Sequence, residues 1–199
     1  MDKNMKYNPE KHHRRSIRLK GYDYSQPGGY YVTIVTQHRS CLFGDVVDGE
    51  MVLNTWGRVV EYHWQRLPHH FNHIRLDVFQ IMPNHLHGII FIMELVGAKH
   101  SVENTLKIQE KSIENASPLR PHGTHPGSLG AIMQNYQLIT TRKINRIRKT
   151  PGKKLWQRNY WEHIIRDEHD LNRIREYIMN NPLQWELDDE NPNKTPGNE

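Results

Sequence analysis

Apolar and polar positions along the chain predict a set of strands. Tyr30–Gln37 is rich in β-branched residues, which favours a buried strand. Val46–Leu53 predicts either an interrupted strand or a hairpin that turns at Asp48-Gly49. The apolar segments Ile74–Met82 and His85–Glu94 flank Pro83-Asn84, two residues typical of tight turns. This last arrangement predicts a central antiparallel hairpin.

Three other segments have the period of amphipathic helices. The first follows a capping residue at Asn54 or Thr55. The second covers residues 128–149, where apolar side chains recur every three or four positions. The third begins after Asp167 and ends before Pro182, which cannot continue a helix. Helices interspersed with antiparallel strands predict an α+β domain built on an antiparallel sheet.

The polar stretches predict the domain organisation. Residues 1–28 form a basic N-terminal arm, and residues 29–188 form one domain, as expected for a chain of 199 residues. Inside that domain, residues 96–126 are polar over a long stretch and predict a flexible insertion. Residues 189–199, rich in Pro, Asn and Gly, predict a disordered tail.

Composition excludes several classes of protein. No apolar run approaches the roughly 20 residues that a membrane-spanning helix needs, and mean hydropathy is −0.84. Cys41 is the single cysteine, so the sequence offers neither a disulfide framework nor a cysteine zinc site. The first residues lack the apolar segment of a secretory signal. These features predict a soluble protein of the cytoplasm.

Charge favours a polyanionic partner. The net charge is +5 and the pI is about 9.3. Dense basic stretches with nearby aromatic residues suit a nucleic-acid strand, whose phosphates they neutralise and whose bases they stack. Trp156 and Trp161 fit either base stacking or the core equally well. The predicted DNA-binding residues are Arg14, Arg15, Arg18, Lys20, Arg142, Arg146, Lys153, Lys154 and Arg158.

A pair of histidines lies at the start of the second strand of the central hairpin. Side chains alternate across a strand, so His85 and His87 share one face while Leu86 points to the other. Two imidazoles on one face of a rigid sheet can hold a divalent metal ion between them. The alternative interpretation of the same pattern is that the two histidines only form hydrogen bonds at the end of a strand and bind no metal.

Tyr136 is the second candidate for chemistry. It lies on the apolar side of the helix over residues 128–149, and that side should pack against the sheet. Helical spacing alone favours a core tyrosine. The combination of His-x-His on a strand with a tyrosine on a basic helix favours a functional role.

At this point the sequence resembles a known family, the single-tyrosine HUH transposases, and within it the REP-associated tyrosine transposases. The resemblance covers residues 29–188. The segments that carry it are Tyr30–Thr36 (YYVTIVT), Met82–Ile90 (MPNHLHGII), Gly127–Asn145, Leu155–Arg166 (LWQRNYWEHIIR) and Glu176–Asp188 (EYIMNNPLQWELD).

The resemblance implies a fold and a reaction. The fold is the ferredoxin-like HUH arrangement, with the tyrosine helix packed over the histidine face of the sheet. The reaction is cleavage and transfer of single-stranded or hairpin DNA, in which Tyr136 forms a 5′-phosphotyrosine. His85 and His87 would hold Mg²⁺ or Mn²⁺, and the protein would act as a monomer or a homodimer. Relatives often place an amide ligand one turn after the tyrosine; here that position is Thr140, a weaker ligand.

Alternatives stay open at this stage. Tyr160 and Tyr177 compete with Tyr136 for the role of nucleophile. A domesticated protein that binds DNA hairpins with weak or no catalysis is the second function class. A metal-dependent hydrolase that uses water as its nucleophile is a remoter third.

Overall fold

An antiparallel sheet of four strands is the centre of the computed structural model, which describes residues 22–94 and 124–194. A separate two-stranded hairpin lies beside this sheet. Within the described ranges the strands are β1 (Gly28–Val35), β2 (Gly44–Val47), β3 (Glu50–Leu53), β4 (Ile74–Ile81), β5 (His85–Ile92) and β6 (Trp161–Ile165). The four-stranded sheet has the order β4-β5-β1-β6, and β2 pairs with β3.

The three predicted helices are present, and each begins at a residue whose side chain caps it. The Asn54 side chain accepts hydrogen bonds from the N–H groups of Trp56 and Gly57, and Ser128 and Asp167 cap the two later helices in the same way. The helices are α1 (Thr55–Gln65), α2 (Leu67–His70), α3 (Leu129–Ile147) and α4 (Glu168–Asn180), followed by a 3₁₀-helix over Pro182–Leu187. The predicted α+β fold with an antiparallel sheet is confirmed.

β6 was absent from the predicted elements. Its five residues, WEHII, carry no clear alternation of apolar and polar positions. They become a strand because Trp161–Ile165 pairs with Gly29–Thr33 of β1, and this partner lies far away in sequence. β6 is the edge of the sheet on that side.

The two faces of the sheet are covered by different helices. On one face Leu86 and Ile90 of β5 join Val32 and Ile34 of β1 in the main core, which α1 and α3 cover. The opposite face, here called the histidine face, carries His85 and His87. There a smaller core forms from Tyr31, Ile89, Ile174 and Ile178, and the last two belong to α4.

The expectation that the Tyr136 helix covers the histidine face is wrong. α3 belongs to the main core on the opposite face, and the helix over the histidine face is α4. Apolar periodicity predicted correctly that α3 packs on the sheet, but it carries no information about which face is used.

Several expectations fall on residues outside the described ranges. Residues 1–21, 95–123 and 195–199 contain most of the predicted basic arm, nearly all of the predicted flexible insertion and part of the predicted tail. In the part of the chain that the structure describes, no helix has the length and apolar character to cross a membrane.

Gly88 places β5 directly against the main core. A Cβ at this position would lie 2.3 Å from Cζ2 of Trp64, whose side chain is fully buried. Only glycine therefore allows the indole to approach the backbone between His87 and Ile89.

We expect Gly88→Ala to lower the free energy of unfolding by about 1–3 kcal/mol, since the added methyl overlaps a ring that cannot move freely. Denaturant unfolding measures this cost. The same substitution in a Trp64→Phe background should cost less than half as much, because the smaller ring leaves space. Equal costs in the two backgrounds would show that Trp64 is not the obstacle.

Candidate functional site

The two histidine side chains converge on one point. Nε2 of His85 lies 2.9 Å from Nε2 of His87, and both residues are buried. Two ligands at right angles around an octahedral ion, each at about 2.1 Å, would be about 3.0 Å apart. The observed separation therefore matches a pair of adjacent positions around one divalent metal ion.

Asn84 orients the first histidine. Nδ1 of His85 lies 2.8 Å from Oδ1 of Asn84, while Nδ2 of Asn84 donates to the carbonyl oxygens of Arg39 and Glu190. These two donated bonds fix which end of the amide faces the imidazole. Nδ1 of His85 must then carry the hydrogen and donate, so its Nε2 keeps a lone pair for a metal.

Two hydroxyl groups orient the second histidine. Nδ1 of His87 lies 2.8 Å from the Tyr31 hydroxyl and 2.8 Å from Oγ1 of Thr33. Both partners come from β1, because Thr33 is directly opposite His87 in the register and Tyr31 is two positions away on the same face. Hydroxyl groups can accept a hydrogen bond from Nδ1–H, which leaves Nε2 of His87 free to bind a metal.

Burial keeps both imidazoles neutral. It lowers the pKa of His85 to about 4, despite the opposing effects of the Asp188 carboxylate and the Asn181 amide. Burial, and then the neighbouring His85, lower the pKa of His87 well below its ordinary value. A neutral imidazole is the form that binds metals, so both side chains are ready as ligands at neutral pH.

Two oxygen donors from the C-terminal part of the chain complete the group. The Asp188 carboxylate lies 3.8 Å from Nε2 of His85, and the possible ligand atoms of His85, His87 and Asp188 are all within 4.8 Å of one another. Asn181 is also buried, and its Nδ2 donates to Asp188. Its Oδ1 is buried with no hydrogen-bond partner among the described residues. A hard divalent cation would satisfy that oxygen.

Tyr177 is the tyrosine of α4 that faces the histidines. Its ring lies 5.3 Å from that of His87 and 6.4 Å from that of Tyr31, measured between centroids. The side chain is 44% exposed, so a large substrate can reach it. Burial and the Asp188 carboxylate raise its pKa, while the Asn181 amide lowers it. The phenol is therefore protonated at neutral pH and needs activation before it can attack.

Tyr136 is on the other side of the sheet from this group. It is 1% exposed, its hydroxyl donates to the carbonyl oxygen of Val60, and its ring contacts Trp64 and Trp156. Thr140 is fully buried there as well, where it accepts from Nε1 of Trp156. The structure contradicts Tyr136 as a nucleophile beside the histidines and Thr140 as a third metal ligand, because a layer of sheet separates them from the pair.

Five of the nine predicted DNA-binding residues fall in the described ranges. Arg14, Arg15, Arg18 and Lys20 lie outside the described residues; Arg142, Arg146, Lys153, Lys154 and Arg158 are all exposed. Of these, Arg146 lines a groove of about 560 Å³ between α1 and α3, on the face opposite the histidines. The groove residues are Thr55, Arg58, Val59, Tyr62, His63, Arg66, His70, Lys143, Arg146 and Ile147.

This groove, here called the basic groove, is electropositive and lacks compensating carboxylates. Among the ion pairs of the described ranges, none includes Arg58, Arg66, Lys143 or Arg146. Burial, and then the positive charges of Lys143, His70 and Arg66, lower the pKa of His63. Several unpaired cations around one groove suit the phosphate backbone of a nucleic acid.

Comparisons with known proteins find one relative of nearly full length and one that is similar over a short segment. The chain is 43% identical over 186 residues to an uncharacterized protein of Haemophilus influenzae, covering 92% of this chain and 96% of the relative. A second Haemophilus influenzae protein, a putative REP-associated tyrosine transposase, is 50% identical over 30 residues, which is 15% of this chain and 17% of the relative. No family model matches.

One solved structure has a similar fold. A structure of a REP-associated tyrosine transposase bound to a REP hairpin superposes with a TM-score of 0.54 at 15% identity, covering 85% of this chain and 74% of the other. At this identity the likeness concerns the fold, and it is the fold that the sequence resemblance implies. The chain is therefore similar to REP-associated tyrosine transposases in its fold and in one 30-residue segment of its sequence. Its sheet and helices have the HUH arrangement.

The family pattern also explains what the sequence interpretation missed. The resemblance implies an amide one helical turn after the tyrosine, and Thr140 does not supply one. Asn181, the C-cap of α4, follows Tyr177 at that spacing. Both residues lie inside the segment EYIMNNPLQWELD, which carries part of the resemblance. Asp188, in contrast, follows the 3₁₀-helix, and no periodicity places it near the histidines.

The affinity of the histidine pair for a metal ion should fall only at unusually low pH. An exposed histidine pair would lose a metal as pH falls through about 6.5, the ordinary pKa of the imidazole. Because burial lowers the pKa of both His85 and His87, protons compete only at lower pH. We expect the Mn²⁺ affinity to be equal at about pH 7.5 and about pH 6 and to fall only towards pH 4.

Titration of Mn²⁺ followed by electron paramagnetic resonance measures this profile. His85→Ala is the control and should abolish binding at every pH. A midpoint near pH 6.5 would show that the binding imidazoles are not the buried pair.

Proposed function

We propose that this protein is a metal-dependent single-strand DNA endonuclease and strand transferase that acts on hairpin-containing DNA through a 5′-phosphotyrosine on Tyr177. The observation that carries the proposal is the convergence of the His85–His87 pair with Tyr177 of α4 and with Asn181, the C-cap of that helix, on one face of the sheet. The solved relative with this fold was bound to a REP hairpin, which supports the same class of DNA here.

Tyr177 acts as nucleophile in this mechanism. Its phenolic oxygen attacks the phosphorus of a single-strand phosphodiester and forms a new P–O bond. The bond between phosphorus and the 3′ oxygen breaks, so the 5′ phosphate stays on the tyrosine. The phenol loses one proton and the departing 3′ oxygen gains one. The phosphotyrosine retains an ester bond, and attack by another 3′-OH can therefore reseal a strand without a nucleotide cofactor.

The donors around the pair fit a hard divalent cation such as Mg²⁺ or Mn²⁺. His85 and His87 would hold it with nitrogen ligands, and the unsatisfied Oδ1 of Asn181 and the Asp188 carboxylate would supply oxygen ligands. When bound, such an ion neutralises charge on the phosphoryl oxygens and orients the phosphodiester. Asn84, Tyr31 and Thr33 keep the two imidazoles aimed at the same point before substrate arrives.

The basic groove supplies affinity for the DNA backbone. It lies on the opposite side of the sheet from Tyr177, so a DNA that contacts both must extend around the domain. A hairpin with a single-stranded flank has this shape, because the stem and the flank can occupy separate surfaces.

A protein that binds hairpins without cleaving them is the second candidate function. The protonated phenol favours this function in one respect, since partial burial and the Asp188 carboxylate raise the pKa of Tyr177. The alignment of both histidines favours the enzyme, because binding alone needs no pair of imidazoles with Nε2 atoms 2.9 Å apart.

Matched tyrosine variants separate the proposed nucleophile from the tyrosine of α3. Tyr177→Phe should eliminate the covalent adduct, because it removes the attacking oxygen, whereas Tyr136→Phe should retain it. Tyr136→Phe should lower the free energy of unfolding by about 1 kcal/mol through loss of the bond to Val60. A denaturing gel with 3′-labelled hairpin DNA and Mn²⁺ detects the adduct, and mass spectrometry of the peptide locates it.

The remaining outcomes assign the chemistry. An adduct that persists in Tyr177→Phe would overturn the assignment of the nucleophile. Cleavage with no adduct in the unsubstituted protein would favour water as nucleophile. Hairpin binding with neither cleavage nor adduct would favour the binding-only function.

Salt dependence tests the basic groove. If Lys143 neutralises one phosphate, Lys143→Ala should reduce the slope of log affinity against log salt by about one. Lys194→Ala is a matched control that removes the same charge, because Lys194 is already paired with Asp189. Filter binding of a DNA hairpin over a salt series measures both slopes. Equal slopes for the two variants would place the DNA elsewhere.

A further inference from the structure

An aromatic surface extends from the histidine pair to the edge of the sheet. Tyr31 contacts His87 with ring centroids 5.7 Å apart, and Trp161 contacts Tyr31 at 5.1 Å. Trp161 belongs to β6 and is directly opposite Thr33 in the register, so its side chain shares the histidine face. Trp161 is therefore two ring contacts from His87.

The proposed reaction gives no role to this indole. Trp156, from the same LWQRNYWEHIIR segment, is 5% exposed and packs in the main core against Phe43. Trp161 is 40% exposed, although an apolar ring of this size gains most from burial. The two tryptophans thus have opposite environments, and only Trp161 is open to a ligand.

The surroundings hold the indole in a fixed position. Its ring is parallel to that of His163 within 5°, with centroids 6.1 Å apart. Nε2 of His163 lies 2.7 Å from the Asp170 carboxylate, and Asp170 also binds Arg173 at 2.7 Å. The Tyr31 ring meets the indole edge to face at 71°. A flat, exposed ring with fixed neighbours can stack with a base at little entropic cost.

We propose that Trp161 forms a stacking subsite for an unpaired nucleobase, one or two nucleotides from the phosphate that lies at the histidine pair. This inference rests on the proposed function for the position of that phosphate, but base binding itself needs no cleavage. The base stacks on the exposed face of the indole. Trp161 is thereby a positioning residue, which aligns the strand with Tyr177.

The location on β6 suits a single strand rather than a duplex. β6 is an edge strand, because no other described strand pairs with its outer side, and Arg158 is exposed in the segment just before it. That segment lies beside the end of β1, because the backbone N–H of Gln157 donates to the carbonyl oxygen of Val35. A backbone phosphate near Arg158 would leave its base free to turn towards Trp161. Bases in a duplex are already stacked on each other and cannot do so.

The test compares a hairpin that carries an unpaired oligothymidine extension with the same hairpin without it, in Tyr177→Phe protein to prevent cleavage. Trp161→Ala should weaken binding of the extended hairpin about tenfold and leave the blunt hairpin unchanged. Trp161→Phe should recover most of the affinity. Trp161→Leu, which keeps an apolar contact with Tyr31 but cannot stack, should not recover it.

Abasic substitution locates the contact. At one position of the extension, removal of the base should weaken binding of the hairpin to the protein. That loss of affinity should vanish in Trp161→Leu, because the base then has no ring to stack on. A loss of equal size in both proteins would overturn the proposal, and so would wild-type affinity of Trp161→Leu for the extended hairpin. These binding measurements hold even if the protein forms no phosphotyrosine, so failure of the proposed reaction and failure of the stacking subsite are distinguishable.

Discussion

The alternation of side chains along β5 is the constraint on which the site depends. His85 and His87 point to one side and Leu86 and Ile90 to the other, so a single strand contributes to both the candidate metal site and the main core. Pairing with β1 sets Thr33 opposite His87 and thereby brings a hydroxyl to its Nδ1. A shift of one residue in this register would exchange the two faces and destroy the site and the core together.

The histidine face buries polar side chains, whereas the core face buries mainly apolar ones. On the core face, apolar side chains fill the space beneath α1 and α3. On the histidine face, buried polar groups satisfy one another: Asn84 holds His85, Tyr31 and Thr33 hold His87, and Asn181 binds Asp188. The exceptions are the converging Nε2 atoms and Oδ1 of Asn181, where an added cation would find its ligands.

The two candidate sites lie on opposite sides of the sheet, because each strand contributes side chains to both faces. His85, His87 and Tyr177 are on the side of α4, and the basic groove lies on the side of α1 and α3. The edge strand β6 connects the histidine face to open surface through Tyr31 and Trp161. A nucleic acid with a folded part and a single-stranded part can contact both sides, whereas a small substrate could contact only one.

Much of this protein was determined by its sequence alone. The capping residues Asn54 and Asp167 predicted the starts of two helices, the apolar period predicted the helix over residues 128–149, and Pro83-Asn84 predicted the central hairpin. These features act between near neighbours in the chain. The placement of His85 and His87 on one face followed from the two-residue period of a strand. Family resemblance predicted the fold class. All of these inferences use either contacts between near neighbours in the chain or the ordered sequence motifs that carry the resemblance.

Only the tertiary structure decided which tyrosine accompanies the histidines. α3 and α4 both carry a tyrosine and an apolar stripe, and periodicity shows that each packs on the sheet without showing on which side. The choice depends on the side of the sheet on which each helix lies, which no local pattern records. In the folded chain Tyr136 packs against Trp64, Asp188 lies beside His85, and Trp161–Ile165 pairs with β1 as a strand. Contacts between residues distant in sequence determine each of these features, and for that reason only the folded structure reveals them.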